Sequence, residues 1–342
     1  MKDKGKAFFI VLIGYVFVTL LMTYPLVFHL STHIPGEIPG GVGDGHQNLW
    51  NIWHFKKRVL NFQNPFYTNY IYYPIGVKLI FHTYSVFNNL LALPFNNIVL
   101  AYNFIVLFSF IMSAIGMYFL SFYLTQDKLG SFVAGIIFSF CPYKFAHLLG
   151  HLNLVSTEWI PFYILYLIKT FKEPFSYKNI CLTSTFFLFT FFCSYYYAFY
   201  LIIFTILFFA FEFRKKIFSK RNLLLIFTIF ILILPILIMG IQSYLEEDLP
   251  KVGGHKQESA DLLAFFIPSP LHPLFGPYVE PIYHAFRASI VTEAPVFMGY
   301  TVLALFIYSV LSSQRRKFKF WLISALCFFY SFLRSCAPNI LT

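Results

Sequence analysis

Charged residues are scarce in this chain. Only 11% of its 342 residues are charged and 58% are hydrophobic, whereas a typical soluble domain has about 25% charged residues. So few charges cannot cover a water-facing surface. The composition therefore excludes an ordinary soluble globular protein and predicts that lipid covers much of the molecule.

A continuous basic groove is also lacking, although the net charge is +11. The lysines and arginines fall in short clusters between apolar runs, as the positive-inside rule expects of a membrane protein. The arrangement argues against nucleic acid as a partner. It favours membrane lipids instead.

Several sequence motifs that identify common enzyme and transporter classes are missing. The five cysteines are odd in number and form no Cys-x-x-Cys pair, so we interpret them as small apolar residues of buried helices. The glycine-rich "GGVGDG" lacks the Gly-Lys-Ser/Thr of a phosphate-binding loop. No internal repeat marks the inverted halves of a secondary transporter.

Long apolar runs predict an all-α polytopic membrane protein with eight or nine transmembrane helices. The first follows "MKDKGK" and is too long for a signal peptide, so we interpret it as a retained span. The run 129–145 ends in "CPYK" and predicts a broken helix. The predicted spans are 7–29, 98–124, 129–145, 155–171, 179–194, 195–213, 222–241, 295–312 and 319–334.

The basic clusters orient these spans with the N-terminus in the cytoplasm of a multi-pass plasma-membrane protein. All ten histidines then lie at the outer face, either by chance or because chemistry takes place there. Two long outer loops, 30–97 and 242–294, predict a binding or catalytic surface. We expect one transmembrane domain, 1–334, followed by an atypical tail, 335–342.

The first outer loop contains a predicted amphipathic helix, 48–62, in the membrane interface with its polar arc towards lipid headgroups. That arc comprises Asn51, His54, Lys57, Arg58 and Asn61. Asp44 precedes the helix and has two interpretations. With Gln47 it resembles a capping box, whereas its flanking glycines, Gly43 and Gly45, favour an exposed carboxylate that a ligand can approach closely.

Six segments resemble GT-C-type membrane glycosyltransferases over residues 1–330, in particular a prokaryotic branch related to polyprenyl-phosphate-sugar-dependent enzymes. They are "TYPLVFHL", "GDGHQNLWNIWHF", "NPFYTNYIYYPIGVKLIFHT", "GHLNLVSTEWIPFYILYL" and "SADLLAFFIPSPLHPLFG" with the later "PVFMGYTVLALF". The resemblance implies a GT-C-like bundle that moves a sugar from a polyprenyl phosphate to an acceptor hydroxyl at the outer face, with inversion.

The resemblance also implies roles for individual residues. Asp44 is expected to be the catalytic base or a metal partner. A second acidic or metal-binding site would come from Glu158, His151 and His147, although the histidine pair is equally interpreted as interface residues at a helix end. A divalent cation, Mg²⁺ or Mn²⁺, is left open. The phosphate-binding residues would be Arg287, Lys57, Arg58 and Lys78.

Two departures from the family pattern keep alternatives open. The first loop has a single acid instead of a pair, and "FFYSFLRSCAPNILT" replaces the apolar C-terminal spans of the family, which predicts a truncated or frameshifted chain. One alternative is a transporter or flippase of lipid-linked substrates, which would bury charges within its spans. Another is a non-catalytic or degenerate membrane subunit.

Overall fold

A computed structural model of the chain describes residues 2–36, 44–212, 220–246, 262–270, 272–285, 297 and 299–312. Structural statements below refer to these residues. The segment 319–334, predicted as the last span, lies outside them, as does Arg287.

Within the described residues the chain is mostly helical with few strands, which confirms the predicted all-α class. A two-stranded antiparallel ribbon, β1 (Tyr67–Thr68) and β2 (Val77–Lys78), pairs Tyr67 with Lys78. The α-helices are α1 Lys2–Met22, α2 Gly45–Leu60, α3 Val86–Ala92, α4 Ile98–Thr125, α5 Lys128–Ser139, α6 Pro142–Leu148, α7 Leu152–Val155, α8 Trp159–Lys172, α9 Tyr177–Cys193, α10 Tyr195–Glu212, α11 Lys220–Glu246, α12 Gly276–His284 and α13 Tyr300–Ser312.

Three stretches are long and apolar enough to cross a membrane, which indicates a membrane protein: Ile98–Thr125, Lys128–Leu148 and Lys220–Leu245. The second contains α5 and α6 and is interrupted between Ser139 and Pro142, which confirms the predicted break. Shorter apolar helices cover Phe8–Met22, Tyr195–Phe209 and Tyr300–Ser309. The number of spans, predicted as eight or nine, stays a prediction.

The chain divides into two compact units. The first comprises residues 1–140 and 147–249, and the second comprises 141–146 and 250–342. In the second unit, the Tyr283 hydroxyl of α12 donates to the carbonyl of Ile267 at 3.1 Å. The predicted single domain, 1–334, stays a prediction, because much of the second unit lies outside the described residues.

The core of the first unit forms where α4 packs against α1, α5 and α8, and α8 in turn packs against α9. Tyr15, Ala114, Trp159, Phe162 and Cys193 are buried together there. Gly116 permits close approach of α8, because a Cβ at that position would lie 2.9 Å from the Phe162 ring. This aromatic core fixes the ends of α8 and α9.

A second cluster lies within the predicted first outer loop, residues 30–97. Phe55 of α2 packs with Leu79, Tyr84 and Val86. The loop is attached to the helical core by the Ser85 hydroxyl, which donates to the carbonyl of Cys193 at 2.8 Å. The predicted outer loop is therefore a packed layer that holds α2 in place.

Candidate functional site

Asp44 occupies the residue before α2, yet its side chain does not cap the helix. Its backbone has φ −69° and ψ 0°, and its carboxylate accepts no bond from the first turn, although a capping side chain would do so. Instead, Oδ2 lies 3.4 Å from Nε2 of His151, and the Asp44 side chain is 44% exposed. A half-exposed carboxylate beside an imidazole is chemically suited to accept a proton.

The backbone around this pair is fixed from both sides. The Asn48 amide donates to the carbonyl of Asp44 at 2.9 Å and to the carbonyl of Gly150 at 2.8 Å. A Cβ on Gly150 would lie 3.1 Å from the Asp44 backbone nitrogen. Glycine is needed there because the turn before α7 touches the start of α2. The two segments are far apart in the sequence and meet at Asp44.

Two further imidazoles lie near the pair. The ring of His147 is edge-to-face with His151 at 5.4 Å. Nε2–H of His82 donates to Oδ1 of Asn51 at 3.1 Å. Burial lowers the pKa of His82, and the negative charge of Asp44 opposes that shift, so His82 lies within the electrostatic reach of Asp44. The structure thus places His151 beside Asp44, His147 beside His151, and His82 within electrostatic reach of Asp44. The roles predicted for these residues stay predictions.

Part of the polar arc of α2 faces the protein, whereas Lys57 and Asn61 are exposed. The prediction that the arc faces headgroups is therefore wrong for Asn51 and His54. Both are buried, at 2% and 0% exposure. Nε2 of His54 accepts from Arg58 at 3.3 Å, and Nδ1 contacts the Tyr84 hydroxyl at 3.0 Å. Burial, and then the charge of Arg58, lower the pKa of His54 to about 4, so the ring is neutral at pH 7. These partners come from distant segments and cannot be read from helical periodicity.

The predicted phosphate-binding cations occupy different surroundings. The Lys57 ammonium lies over the rings of Trp53 and Tyr70, at 5.0 and 4.9 Å from their centroids. Arg58 lies over Tyr70 at 5.6 Å and donates to Gln63 at 2.8 Å. Lys78 is half-buried in β2. Arg287 lies outside the described residues, so the predicted four-residue phosphate site stays a prediction.

Glu158, the predicted second acid, is fully buried at the start of α8. The Ser109 hydroxyl donates to its Oε2 at 2.7 Å, and the Cys193 thiol donates to its Oε1 at 3.8 Å. It therefore lies in the core, whereas Asp44 is half-exposed. Within the described ranges, no group of three or more His, Cys, Asp or Glu side chains is arranged to hold a metal ion. The divalent cation stays a prediction.

An open cleft was missed by the sequence reasoning. Residues 81–85 line one side, residues 191–196 line the other, and Asn153 of α7 completes the wall around about 530 Å³ of space, including its mouth. His82 belongs to this wall, so the cleft adjoins the surroundings of Asp44. Serine and asparagine carry no motif that distinguishes a cleft from a helix end. Only the contact between two distant segments creates it.

The family model described as domain of unknown function DUF6311 matches residues 11–340. The chain therefore belongs to this family. No curated protein and no solved structure matches the chain.

Proposed function

We propose that this member of the DUF6311 family is a GT-C-type membrane glycosyltransferase with Asp44 as its general base. The donor is a sugar on a polyprenyl phosphate, and transfer to an acceptor hydroxyl takes place at the extracytoplasmic face of the plasma membrane. The observation that carries the proposal is the position of Asp44. Its carboxylate is half-exposed, does not cap α2, and lies beside His151.

The chemistry follows from this position. Asp44 takes the proton of the acceptor hydroxyl as the hydroxyl oxygen attacks the anomeric carbon. The bond between that carbon and the phosphate oxygen breaks, and the polyprenyl phosphate leaves with the electron pair. Attack opposite to the leaving group inverts the anomeric carbon. A positioned general base accelerates such a step by about 10²- to 10⁴-fold.

The exposed edge of α2 supports a location at the membrane surface. Trp53, Lys57 and Leu60 are exposed along it, and aromatic and basic side chains are favoured at the boundary between lipid and water. We place the developing phosphate charge near Lys57 and Arg58, where a cation stabilises it. The proposal includes a GT-C-like bundle of eight or nine spans with the N-terminus in the cytoplasm.

Native mass spectrometry of the chain purified from its own membranes tests the donor. We expect a co-purified polyprenyl phosphate or its sugar ester, which would also identify the sugar. The same preparation is then supplied with the identified lipid-linked sugar and membrane extract as acceptor. Sugar transfer by the wild type, lost in Asp44→Asn, supports the proposal. Equal transfer by both proteins contradicts the role of Asp44.

A transporter of lipid-linked substrates is the second candidate, because two charged residues are fully buried. Glu158 has 0% exposure in the first unit, and Lys144 has 0% exposure in the second. Lys144 also lies within the candidate span Lys128–Leu148. Buried charges within membrane segments are typical of transport pathways. Movement of a labelled lipid-linked sugar across vesicle bilayers, without sugar transfer, would favour this candidate.

A further inference from the structure

We infer that the cleft between residues 81–85 and residues 191–196 binds the sugar ring of the substrate, through Asn153 and Ser194. This inference rests on the proposed function and specifies where its sugar is recognised. The cleft occupies one side of the first unit and borders the surroundings of Asp44 through His82. It comprises neither the Asp44–His151 pair nor the cations assigned to the phosphate.

Two polar atoms in its wall carry the inference. Asn153 is 4% exposed and Ser194 is 5% exposed. Neither Oδ1 of Asn153 nor Oγ of Ser194 has a hydrogen-bond partner within the described part of the chain. Buried polar atoms without partners are rare, because their desolvation is not compensated. Both residues line the same cleft, so a ligand there would lie next to both side chains.

The chemistry of these atoms defines the ligand. Oδ1 of Asn153 only accepts a hydrogen bond, whereas the Ser194 hydroxyl donates or accepts. Their common ligand therefore carries at least one O–H or N–H donor. Among the described residues that line it, the wall contains no lysine, arginine, aspartate or glutamate, and its remaining surface is largely aromatic, including Phe81, Tyr195 and Tyr196. A neutral polyhydroxylated ring fits this lining, and a phosphate does not.

The wall is held in shape by contacts at its base. The Ser85 hydroxyl bonds the carbonyl of Cys193 at 2.8 Å and joins the two sides. Ser194 is the single residue between α9 and α10, with an extended backbone at φ −156° and ψ 124°. Asn153 follows His151 by two residues, in the short helix α7. The same segment therefore supplies a partner of Asp44 and an acceptor for the sugar.

Binding to the purified full chain in nanodiscs tests the inference. The probes are methyl glycosides of glucose, mannose, galactose and arabinose, and the same sugars on a short-chain prenyl phosphate. The prenyl phosphate without sugar is the reference. We expect one sugar to bind in the wild type, and to bind about 3- to 10-fold more weakly in Ser194→Ala and in Asn153→Ala, as expected for loss of one hydrogen bond.

Matched controls come from a serine and an asparagine outside the cleft. Ser243 Oγ and Asn89 Nδ2 are also buried without partners in the described chain, but neither lines the cleft. Ser243→Ala and Asn89→Ala should bind the sugar like the wild type. Thermal unfolding without ligand verifies that each variant is folded. Ser194→Ala removes only one oxygen, so it keeps the test valid if Asn153→Ala does not fold.

Two results would overturn the inference: no sugar of either series binds beyond the prenyl phosphate reference, or binding is unchanged in both cleft variants. The first result would mean that water, and not a sugar, occupies the cleft beside the two polar atoms. The transfer assay separates this failure from failure of the proposed function. Transfer that depends on Asp44 without sugar binding in the cleft would leave the transferase and reject this site.

Discussion

Two aspartates precede helices in the first unit, and they are used differently. Asp127 precedes α5 with an extended backbone, at φ −97° and ψ 121°, and its carboxylate accepts from the amides of Leu129 at 3.1 Å and Gly130 at 3.2 Å. Asp44 precedes α2 with φ −69° and ψ 0°, accepts no such bond, and lies beside His151.

The difference has a structural cause. An N-cap side chain reaches the first-turn amides when its own backbone is extended, as at Asp127. The backbone of Asp44 is already turned towards helical values. The Asn48 side-chain amide donates to the carbonyls of both Asp44 and Gly150 and so links the two segments. Its carboxylate is therefore available to a partner outside the helix. The same residue before a helix serves stability in one place and, in our proposal, chemistry in the other.

The largest expected effect is on sugar transfer by Asp44→Asn. Loss of the base should lower the transfer rate about 10²- to 10⁴-fold. Folding should be little affected, because the side chain makes no capping bond. Initial rates with the lipid-linked sugar that co-purifies with the chain measure the effect. Asp127→Asn is the matched control and should transfer at the wild-type rate. Comparable losses of transfer rate in Asp44→Asn and Asp127→Asn would contradict the assignment of chemistry to Asp44 and of capping to Asp127.

His151→Asn should have a smaller effect on transfer, about 10-fold, because we assign His151 to positioning Asp44 and not to accepting the proton. His284 supplies the control. It forms a similar histidine–carboxylate pair with Glu280, at 3.9 Å on an exposed surface, and His284→Asn should leave transfer unchanged. A loss in His151→Asn as large as in Asp44→Asn would instead identify His151 as the base.

Gly150→Ala tests the contact that fixes the start of α2. The added Cβ would lie 3.1 Å from the Asp44 nitrogen, so the neighbouring backbone must shift by a few tenths of an ångström. We expect transfer to fall about 3- to 10-fold, because small displacements of a reacting group lower rates. Gly36→Ala is the control, with nothing within 4 Å of its added Cβ. Equal rates in the two variants would show that this contact does not position Asp44.

Acid should loosen α2 but not α5. The pKa of buried His54 is about 4 in the folded chain, against about 6.5 for an unperturbed histidine. The unfolded state therefore binds a proton first as the pH falls. The stabilising contribution of His54 is fully present above pH 6.5 and is lost between pH 6.5 and 4.

Hydrogen exchange corrected for intrinsic rates measures this effect. Peptides from Gly45–Leu60 should exchange faster as the pH falls through that window, and peptides from Lys128–Ser139, which contain no histidine, should not. His54→Gln should remove the pH dependence in α2. If hydrogen exchange in α2 of His54→Gln still depended on pH as in the wild type, a group other than His54 would be responsible.

The sequence predicted elements that depend on local composition. The run 98–124 corresponds to α4, Ile98–Thr125, because this apolar stretch contains no charged residue and the Asn97 side chain caps its start. The boundary between the predicted spans 179–194 and 195–213 lies where α9 ends at Cys193 and α10 begins at Tyr195. The helix predicted over 48–62 is observed as Gly45–Leu60. In each case the chain's own periodicity determines the element.

The candidate site depended on contacts between distant segments, which local patterns do not encode. Asp44 with Gln47 looked like a capping box, and only the approach of Gly150 and His151 shows that the carboxylate is turned elsewhere. The periodicity of α2 did not predict which side chains are covered, since Asn51 and His54 of the polar arc are buried and meet partners from residues 82–84. Asn153 and Ser194 became significant only when the cleft was seen.

The most direct test of the central claim measures transfer and stability together in Asp44→Ala and Asp127→Ala. For Asp127→Ala we predict a lower free energy of unfolding, by about 1 kcal/mol, and unchanged transfer. For Asp44→Ala we predict transfer at least about 10²-fold slower, with near wild-type stability. The reverse pattern, with Asp44→Ala destabilised and still active, would show that Asp44 is a structural cap and contradict the account.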